Sequence, residues 1–150
     1  MHFATENLSD VIEEYGAFVY DYWHATPNND GLDPLDFDWS TYRRMDEVGM
    51  LHLTIGRSEH NEMIAAALYI VHPDLKRRNW KIAHCDTFAV ARTLRGNGIG
   101  RKLYEASEPA LIALGVDEIV NGYREVYKTQ PLFERLGFTC VERLYSKRIR

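Results

Sequence analysis

Apolar residues recur every three or four positions early in the chain, and this period places them on one face of a helix between Leu8 and Trp23. Asn7 or Ser9 is a suitable cap for this helix. A segment rich in Pro, Asn, Asp and Gly follows over residues 27–34 and predicts a loop. Residues 36–47 then predict a shorter second helix.

Alternating apolar positions predict three strands in the middle of the chain. Residues 51–55 and 63–71 flank a polar turn and predict a β-hairpin, and residues 80–90 predict a third strand. A regular strand alternates its side chains between two faces. Two sets follow: Ala83, Cys85, Thr87 and Ala89 on one face, and His84, Asp86, Phe88 and Val90 on the other.

The remaining pattern predicts a helix from Ile99 to Leu114, a strand over 116–120, a short helix over 130–136 and a last strand or hairpin arm over 138–149. An opening strand could only be residues 3–5. The predicted order after it is ααβββαβαβ, without repeats or linkers. We therefore expect one mixed α/β domain over residues 1–150.

Composition narrows the class of protein. The chain is 45% hydrophobic, enough for a core, and it has no apolar stretch long enough to span a membrane and no signal-peptide pattern at its start. We expect a cytoplasmic protein without a membrane partner. Cys85 and Cys140 fit neither a disulfide framework nor a metal site, so we expect two reduced, buried thiols and no bound metal.

Charge is distributed unevenly along the chain. The net charge is -4, but the first fifty residues are strongly acidic and the remainder is basic. This asymmetry favours an anionic ligand on the basic part and a cationic ligand on the acidic part. Four acids of the acidic part, Asp30, Asp33, Asp36 and Asp38, lie in or beside the predicted loop.

A glycine-rich turn joins the third predicted strand to the following helix. Gly96, Gly98 and Gly100 allow positive φ angles and close approach of a ligand to the backbone, and a helix N-terminus attracts anions. The turn also carries four cations: Arg92, Arg95, Arg101 and Lys102. A P-loop is excluded because Leu103 follows Lys102, and a dinucleotide-binding fingerprint is a poor match because Arg101 stands where a glycine is needed. The turn suits a diphosphate.

Two motifs resemble those of the GNAT N-acetyltransferases. Arg95-x-x-Gly98-x-Gly100 is similar to the acetyl-CoA motif of that family, and residues 132–138, Leu-Phe-Glu-Arg-Leu-Gly-Phe, are similar to its second motif. The motifs have the order and separation of the family. The chain also resembles compact GNAT proteins encoded by bacteriophages, which would place it in the cytoplasm of a host cell.

The resemblance implies a fold and a cosubstrate. The fold is a mostly antiparallel sheet, splayed between its fourth and fifth strands, with helices on both faces. Acetyl-CoA would place its pantetheine arm along Phe88, Ala89 and Val90, with the Val90 N–H on the thioester carbonyl. The diphosphate would lie on the turn formed by Arg95, Gly96, Asn97, Gly98, Ile99, Gly100 and Arg101.

Three residues are candidates for catalysis. Direct transfer to an amine needs a base for its proton, and Asp86 and His84 are candidates because they share the predicted face of Val90. The tyrosine that often acts as acid in the second motif of the family is replaced here by Phe133. Tyr127 is the candidate substitute, and Tyr123 a weaker one.

The sequence thus predicts an acetyl-CoA-dependent N-acetyltransferase acting on a primary amine, either of a cationic small molecule or of a protein lysine, with a homodimer as a possible assembly. One alternative is a non-catalytic module that binds acetyl-CoA. Another is an acetyltransferase acting on charged tRNA, indicated by basic residues at 76–78 and near the end of the chain. The isoelectric point of about 5.8 argues against nucleic acid as a partner.

Overall fold

Five strands form one mixed sheet in chain order. A computed structural model describes residues 1–25, 35–123 and 130–149. The strands are β1 His2–Glu6, β2 Leu51–Arg57, β3 Met63–Pro73, β4 Lys81–Val90 and β5 Glu118–Val120. The first four pair antiparallel to their neighbours, and β5 pairs parallel to β4. The predicted hairpin, the third strand and the opening strand are confirmed.

Helices cover both faces of this sheet. They are α1 Leu8–His24, α2 Trp39–Glu47, α3 Ile99–Ala113 and α4 Gln130–Arg135. One core cluster joins α1 to β2 and β3, and a second joins α3 to the opposite face. The second helix begins later than predicted because Asp38 caps it, with a side-chain oxygen that accepts the N–H of Thr41 at 3.1 Å. No helix in the described ranges has the length and apolar character needed to cross a membrane.

The central strand β3 is buried on both sides. Its even-numbered residues Ala66 and Leu68 pack under α1, while Ala65, Ala67 and Tyr69 pack under α3. A strand covered on both faces has an almost continuous apolar sequence, which explains the unbroken run from Met63 to Val71. The neighbouring strand β4 therefore has one edge held by a rigid partner.

A β-bulge in β4 changes the faces that simple alternation predicts. Tyr69 pairs with Cys85 and Leu68 with Thr87, so Asp86 is an extra residue without a partner of its own in β3. Beyond the bulge the alternation is inverted: Phe88 and Val90 pack in the same cluster as Cys85, under α3. The prediction that Asp86 and His84 share the face of Val90 is therefore wrong. A single inserted residue exchanges the two faces of every residue after it.

The predicted strand over residues 138–149 is also wrong. The described residues 138–149 form no ladder, and the side chains from Thr139 onward are exposed. An alternating sequence forms a strand only where a neighbour accepts its backbone hydrogen bonds. The predicted burial of both thiols is correct only in part, because Cys140 lies in this segment and is exposed, whereas Cys85 is partly buried in β4.

One arginine ties β1, α1 and the β2–β3 turn together. The guanidinium of Arg57, only 7% exposed, donates to both carboxylate oxygens of Glu6 at 2.6 and 2.8 Å and to both of Glu14 at 3.0 and 2.9 Å. It also donates to the carbonyl of Asn61 at 2.9 Å. The hydrogen bonds from Arg57 hold the pKa of Glu6 below its ordinary value of 4.5. The network links elements about fifty residues apart.

Replacing this arginine should destabilise the fold. We expect Arg57→Met to lower the free energy of unfolding by about 2 kcal/mol or more, because two carboxylates lose their partner. Arg77→Met is the matched control: Arg77 also binds two carboxylates, Asp74 and Glu118, but is more exposed, so we expect a clearly smaller loss. Urea unfolding at neutral pH measures both values. Equal losses in the two variants would contradict a special role for Arg57.

The ion pair between Glu6 and Arg57 also predicts how the stability of the fold depends on pH in acid. Since the pKa of Glu6 is lowered in the folded state, its contribution is fully present above the ordinary value of 4.5 and is lost as the pH falls through the lowered value. As the pH falls from 4.5 to the lowered value, the parent protein should therefore lose stability faster than Arg57→Met. Parallel slopes in acid would show that the pair contributes nothing to the folded state.

Candidate functional site

The glycine turn opens the N-terminus of α3 to solvent. Gly96 and Gly98 have φ angles of 84° and 75°, and a Cβ atom at either position would meet no other atom within 4 Å. Gly98 is the N-cap, and its carbonyl accepts the N–H of Lys102 at 3.1 Å. The N–H groups of residues 99–101 precede this bond and have no acceptor within the helix. They are available to an anion that approaches along the helix axis.

A cavity of about 620 Å³ lies at this helix end. Three arginines line it, Arg95, Arg101 and Arg135, and no Asp or Glu of the described residues does. Of the ten residues predicted to hold the cosubstrate, all but Ala89 and Asn97 line this cavity. Arg92 and Lys102 are exposed outside it. The arrangement has the charge and shape for a diphosphate.

Sequence reasoning did not assign Arg135 to this cavity, although a signal was present. Arg135 occupies the basic position of the second motif, and α4 brings it beside the glycine turn. The close approach depends on Gly100, where a Cβ atom would come within 3.0 Å of Leu132. Two segments about thirty-five residues apart thus form one anion site. Glycine at position 100 serves packing, whereas glycines 96 and 98 serve exposure of the backbone.

Beyond its first residues, the edge of β4 beside β5 pairs with no other strand of the described residues, and this is its free edge. The pairing with β5 covers only Ile82, Ala83 and His84. Ala91 donates its N–H to the carbonyl of Ile64 in β3 at 2.9 Å. By the alternation of an antiparallel ladder, Ala89 also bonds to β3, whereas the backbone groups of Phe88 and Val90 point away from it. The geometry favours Phe88 and Val90 over Ala89 as backbone partners of a ligand.

Val90 and Arg95 connect this free edge to the anion site. The Nε of Arg95 donates to the carbonyl oxygen of Val90 at 3.2 Å, which confirms that this carbonyl points away from β3. The same guanidinium lies over the ring of Tyr22, 5.0 Å from its centroid. The arginine is therefore oriented from two sides. A ligand bound at the helix end can continue along the strand edge without a break.

An amide side chain at the end of β5 has no partner among the residues that the structure describes. Both polar atoms of the Asn121 side chain are buried and unbonded there, as is the hydroxyl of Tyr69 on β3. Burying such groups without a partner is costly. Asn121 lies beside the Tyr69 hydroxyl, because hydrogen bonding to Asn121 acts against the burial that raises the pKa of Tyr69. Neither residue is in the lining of the cavity at the end of α3.

A second cavity, of about 440 Å³, adjoins the first. Tyr22 and Phe88 line both cavities, so the two meet at these rings. The carboxylate of Asp86 lines the second cavity, together with residues of α1 and α2 and of the segment after β5. A group carried along the strand edge from the anion site would reach this junction beside Asp86.

The bulge and one tyrosine hold Asp86 in position. Tyr42 of α2 donates its hydroxyl to Oδ2 of Asp86 at 2.9 Å. Burial, and then the charge of Asp86, raise the pKa of Tyr42, so the phenol keeps its proton and remains a donor. Tyr15 similarly donates to Oγ1 of the neighbouring Thr87 at 2.8 Å. Within the described ranges, Oδ1 of Asp86 accepts no hydrogen bond and is open to a ligand.

His84, the second candidate base, lies outside both cavities. Its Nδ1 is 2.7 Å from Nε2 of His72, and the rings are nearly parallel. Nδ1 of His72 lies 2.9 Å from the carbonyl of Pro73 and must donate to it. With both rings neutral, Nδ1 of His84 then donates to His72. His84 is not in the cavity lining that includes Asp86, and its role as a base stays a prediction.

The candidate acid falls on the part of the chain that is not described. Tyr127 lies outside the described residues, so its assignment as an acid stays a prediction. Phe133 is buried in α4, and its ring contacts Phe88 and Phe138 edge to face at 5.7 and 5.6 Å. It also lines the second cavity, which contains Tyr123. In the described ranges, no three His, Cys, Asp or Glu side chains are grouped as a metal site would require.

The mixed sheet, the open edge of β4 and the exposed N-terminus of α3 together define a fold of the acetyltransferase class. The chain belongs to the acetyltransferase (GNAT) family, whose model matches residues 11–138. The predicted fold and family are confirmed. A comparison with curated protein sequences finds no match.

Solved structures share this fold at low sequence identity. A variant of the BH1408 protein from Bacillus halodurans is 18% identical with a TM-score of 0.77, and all of each chain is covered. Glucosamine-6-phosphate N-acetyltransferase from Arabidopsis thaliana is 14% identical with a TM-score of 0.73, also over all of each chain. The aminoglycoside N-acetyltransferase AAC(6')-Iy, in complex with CoA, is 14% identical with a TM-score of 0.72 and 99% of each chain covered. Enzymes with different acceptors thus share one fold.

Proposed function

We propose that this protein is an acetyl-CoA-dependent N-acetyltransferase that transfers an acetyl group directly to a primary amine. The observation that carries the proposal is the position of Asp86. Its carboxylate lines a cavity that meets the anion site at Tyr22 and Phe88. A base thus lies beside the point that a thioester would reach if its diphosphate were bound at the end of α3.

Acetyl-CoA fits the groups that line these cavities. Its diphosphate matches the guanidinium groups and the exposed N–H groups at the end of α3. Its amide-bearing pantetheine arm matches the backbone groups of Phe88 and Val90 that point away from β3. The aminoglycoside acetyltransferase of the same fold binds CoA, which also supports this cosubstrate.

The proposed reaction is a direct displacement. The neutral amine attacks the thioester carbonyl, its proton passes to Asp86, and the carbon–sulfur bond breaks to release CoA thiolate. A backbone N–H such as that of Val90 stabilises the developing oxyanion. A solvent proton or an acid side chain neutralises the thiolate. No covalent bond to the protein is required.

Release of thiol tests the proposal. We expect the protein to release CoA from acetyl-CoA only when an amine is added, and mass spectrometry of the amine should show a gain of one acetyl group. Release without an amine would indicate hydrolysis instead. Binding of acetyl-CoA without any release, over a wide panel of amines, would favour the non-catalytic module. Position 133 is Phe, so the chain lacks the tyrosine hydroxyl that the second motif usually provides, and this difference keeps the alternative open.

The alternative of charged tRNA as acceptor loses part of its support. Arg77, in the basic turn after β3, binds Asp74 and Glu118 and lies over the ring of Trp80. Its charge is therefore balanced within the protein. Arg143, Lys147 and Arg148, near the chain end, are exposed, and a solvated surface accounts for them.

Two substitutions, Tyr127→Phe and Phe133→Tyr, test whether a tyrosine donates a proton to the CoA thiolate. We expect Tyr127→Phe to slow acetyl transfer while acetyl-CoA binding is unchanged, because only an interaction made in the transition state is lost. Phe133→Tyr in that background should restore part of the rate, because position 133 lines the cavity that contains Asp86. Single-turnover rates measure both effects. Full activity of Tyr127→Phe, with no change from Phe133→Tyr, would show that the thiolate leaves unaided.

A further inference from the structure

Aromatic side chains make up about half of the described lining of the cavity beside Asp86. Of its thirteen lining residues in the described ranges, seven are aromatic. They are Tyr22, Trp23, Phe37, Tyr42, Phe88, Tyr123 and Phe133. Val19 and Leu35 add further apolar surface, and Asp86 is the one charged residue of this lining.

From this lining we infer that the acceptor is a small arylalkylamine, a single ammonium group carried on an apolar, ring-containing body. The inference rests on the proposed function and specifies its acceptor. The volume of about 440 Å³ lies within the range of ordinary small-molecule sites, about 300–1,000 Å³. The body of such an amine would be surrounded by rings, and its nitrogen would lie at Asp86.

The charges of the lining select the head group. Oδ2 of Asp86 already accepts the hydroxyl of Tyr42, and Oδ1 has no partner among the described residues. One open carboxylate oxygen matches one ammonium group, and the faces of nearby rings add cation–π attraction. A sugar phosphate needs cations, and no Lys, Arg or His belongs to the described lining. A polyamine or a polycationic antibiotic needs several acids.

The acidic loop does not provide those acids within the described ranges. Asp36 and Asp38 are exposed, and Asp38 is occupied as the cap of α2, where it binds Ser40 and Thr41. Asp30 and Asp33 lie outside the described residues. We keep the prediction of a cationic acceptor, but the carboxylate that we assign to its ammonium group is that of Asp86, not those of the loop.

The aromatic rings of α2 and of the segment before it favour an acceptor amine with a flat or branched apolar group over one with a linear alkyl chain. Phe37 stacks on Trp39 with ring centroids 4.4 Å apart and meets Tyr42 edge to face at 6.4 Å. These contacts hold Phe37 and Tyr42 in place along one wall of the cavity. A preformed aromatic wall gains most from a flat or branched apolar group. The four methylenes of a lysine side chain would cover little of it.

Binding and turnover with defined amines test the inference. The probe is 2-phenylethylamine, and the comparison amines are spermidine, glucosamine 6-phosphate and Nα-acetyl-lysine amide. We expect 2-phenylethylamine to bind the CoA-saturated protein in calorimetry. Its kcat/KM with acetyl-CoA should exceed that of each comparison amine by about 10-fold or more. A higher kcat/KM for any comparison amine overturns the inference, as does failure of 2-phenylethylamine to bind.

A variant in the aromatic wall separates selectivity from catalysis. Phe37→Leu should raise KM for 2-phenylethylamine by about 10-fold with little change in kcat, and should leave KM for methylamine, which has no ring, unchanged. Phe3→Leu, the same substitution in β1 on the opposite face, is the matched control and should change neither KM. Equal effects of Phe37→Leu on both amines would contradict a contact with the ring.

Failure of the inference is distinguishable from failure of the proposed function. If acetyl-CoA binds and a comparison amine is acetylated fastest, the proposed function stands and the arylalkylamine is wrong. If acetyl-CoA does not bind, or no amine of any class is acetylated, both are wrong. Acetylation of 2-phenylethylamine above all others supports both.

Discussion

Asp86→Asn is expected to lower the rate of acetyl transfer by about 100-fold or more, the usual size of a general-base contribution, while acetyl-CoA binds with unchanged affinity. The amide cannot accept the proton of the attacking amine, but it keeps the shape of the side chain and can still accept the hydroxyl of Tyr42. Because Asp86 is absent from the cavity at the end of α3, diphosphate binding is preserved. Steady-state rates and calorimetry with acetyl-CoA measure the two effects separately.

His84→Gln and Glu59→Gln serve as controls for this variant. His84 lies outside both cavities and Glu59 is exposed in the turn between β2 and β3, so we expect both variants to retain near-parental rates. Parental rates for Asp86→Asn between about pH 6 and about pH 9 would remove Asp86 as the base. A large loss in His84→Gln alone would transfer the role to the histidine pair.

Gly98→Val is expected to abolish the thermal stabilisation that acetyl-CoA produces. A ligand present at about 100 times its Kd stabilises the folded state by about 2.7 kcal/mol, and this term disappears if the ligand cannot bind. At Gly98 a side chain would project into open space at the helix end, where the diphosphate must approach the N–H groups. The shift in melting temperature with and without acetyl-CoA is the measurement.

Gly49→Val is the matched control for backbone strain. Gly49 has a φ angle of 74°, nearly that of Gly98, and its Cβ position is equally open, but it lies between α2 and β2 away from both cavities. Both variants should lose similar intrinsic stability, since Val is disfavoured at positive φ in either place. Only Gly98→Val should lose the response to acetyl-CoA. An undiminished response would show that the ligand does not bind at this turn.

The elements of this fold were largely predictable because each has a local cause. The period of the apolar residues predicts α1 and α3, alternation predicts β2 to β4, and two glycines with positive φ mark the turn before α3. The two motifs identify the family, and most residues of the anion site follow from the first of them. Local sequence suffices where the backbone itself forms the site.

The bulge at Asp86 could not be predicted in the same way. Nothing in the alternation of β4 marks an extra residue, because the signal lies in its register with β3, where Leu68 pairs with Thr87 and Tyr69 with Cys85. The last predicted strand failed for a related reason. Its residues alternate, but in the described structure they have no neighbouring strand. Pairing is a relation between two segments, and one segment does not specify it.

The sequence by itself determined the class of fold, the family and the anion-binding turn, since these depend on local periodicity and on glycines within six residues of one another. Only the tertiary structure decided that Asp86 faces α1 and α2, that Tyr42 holds it from forty-four residues away, and that Arg135 joins the glycine turn. It also decided that one carboxylate lies among seven rings. Such contacts join side chains distant in sequence, and their geometry depends on how the sheet and helices pack.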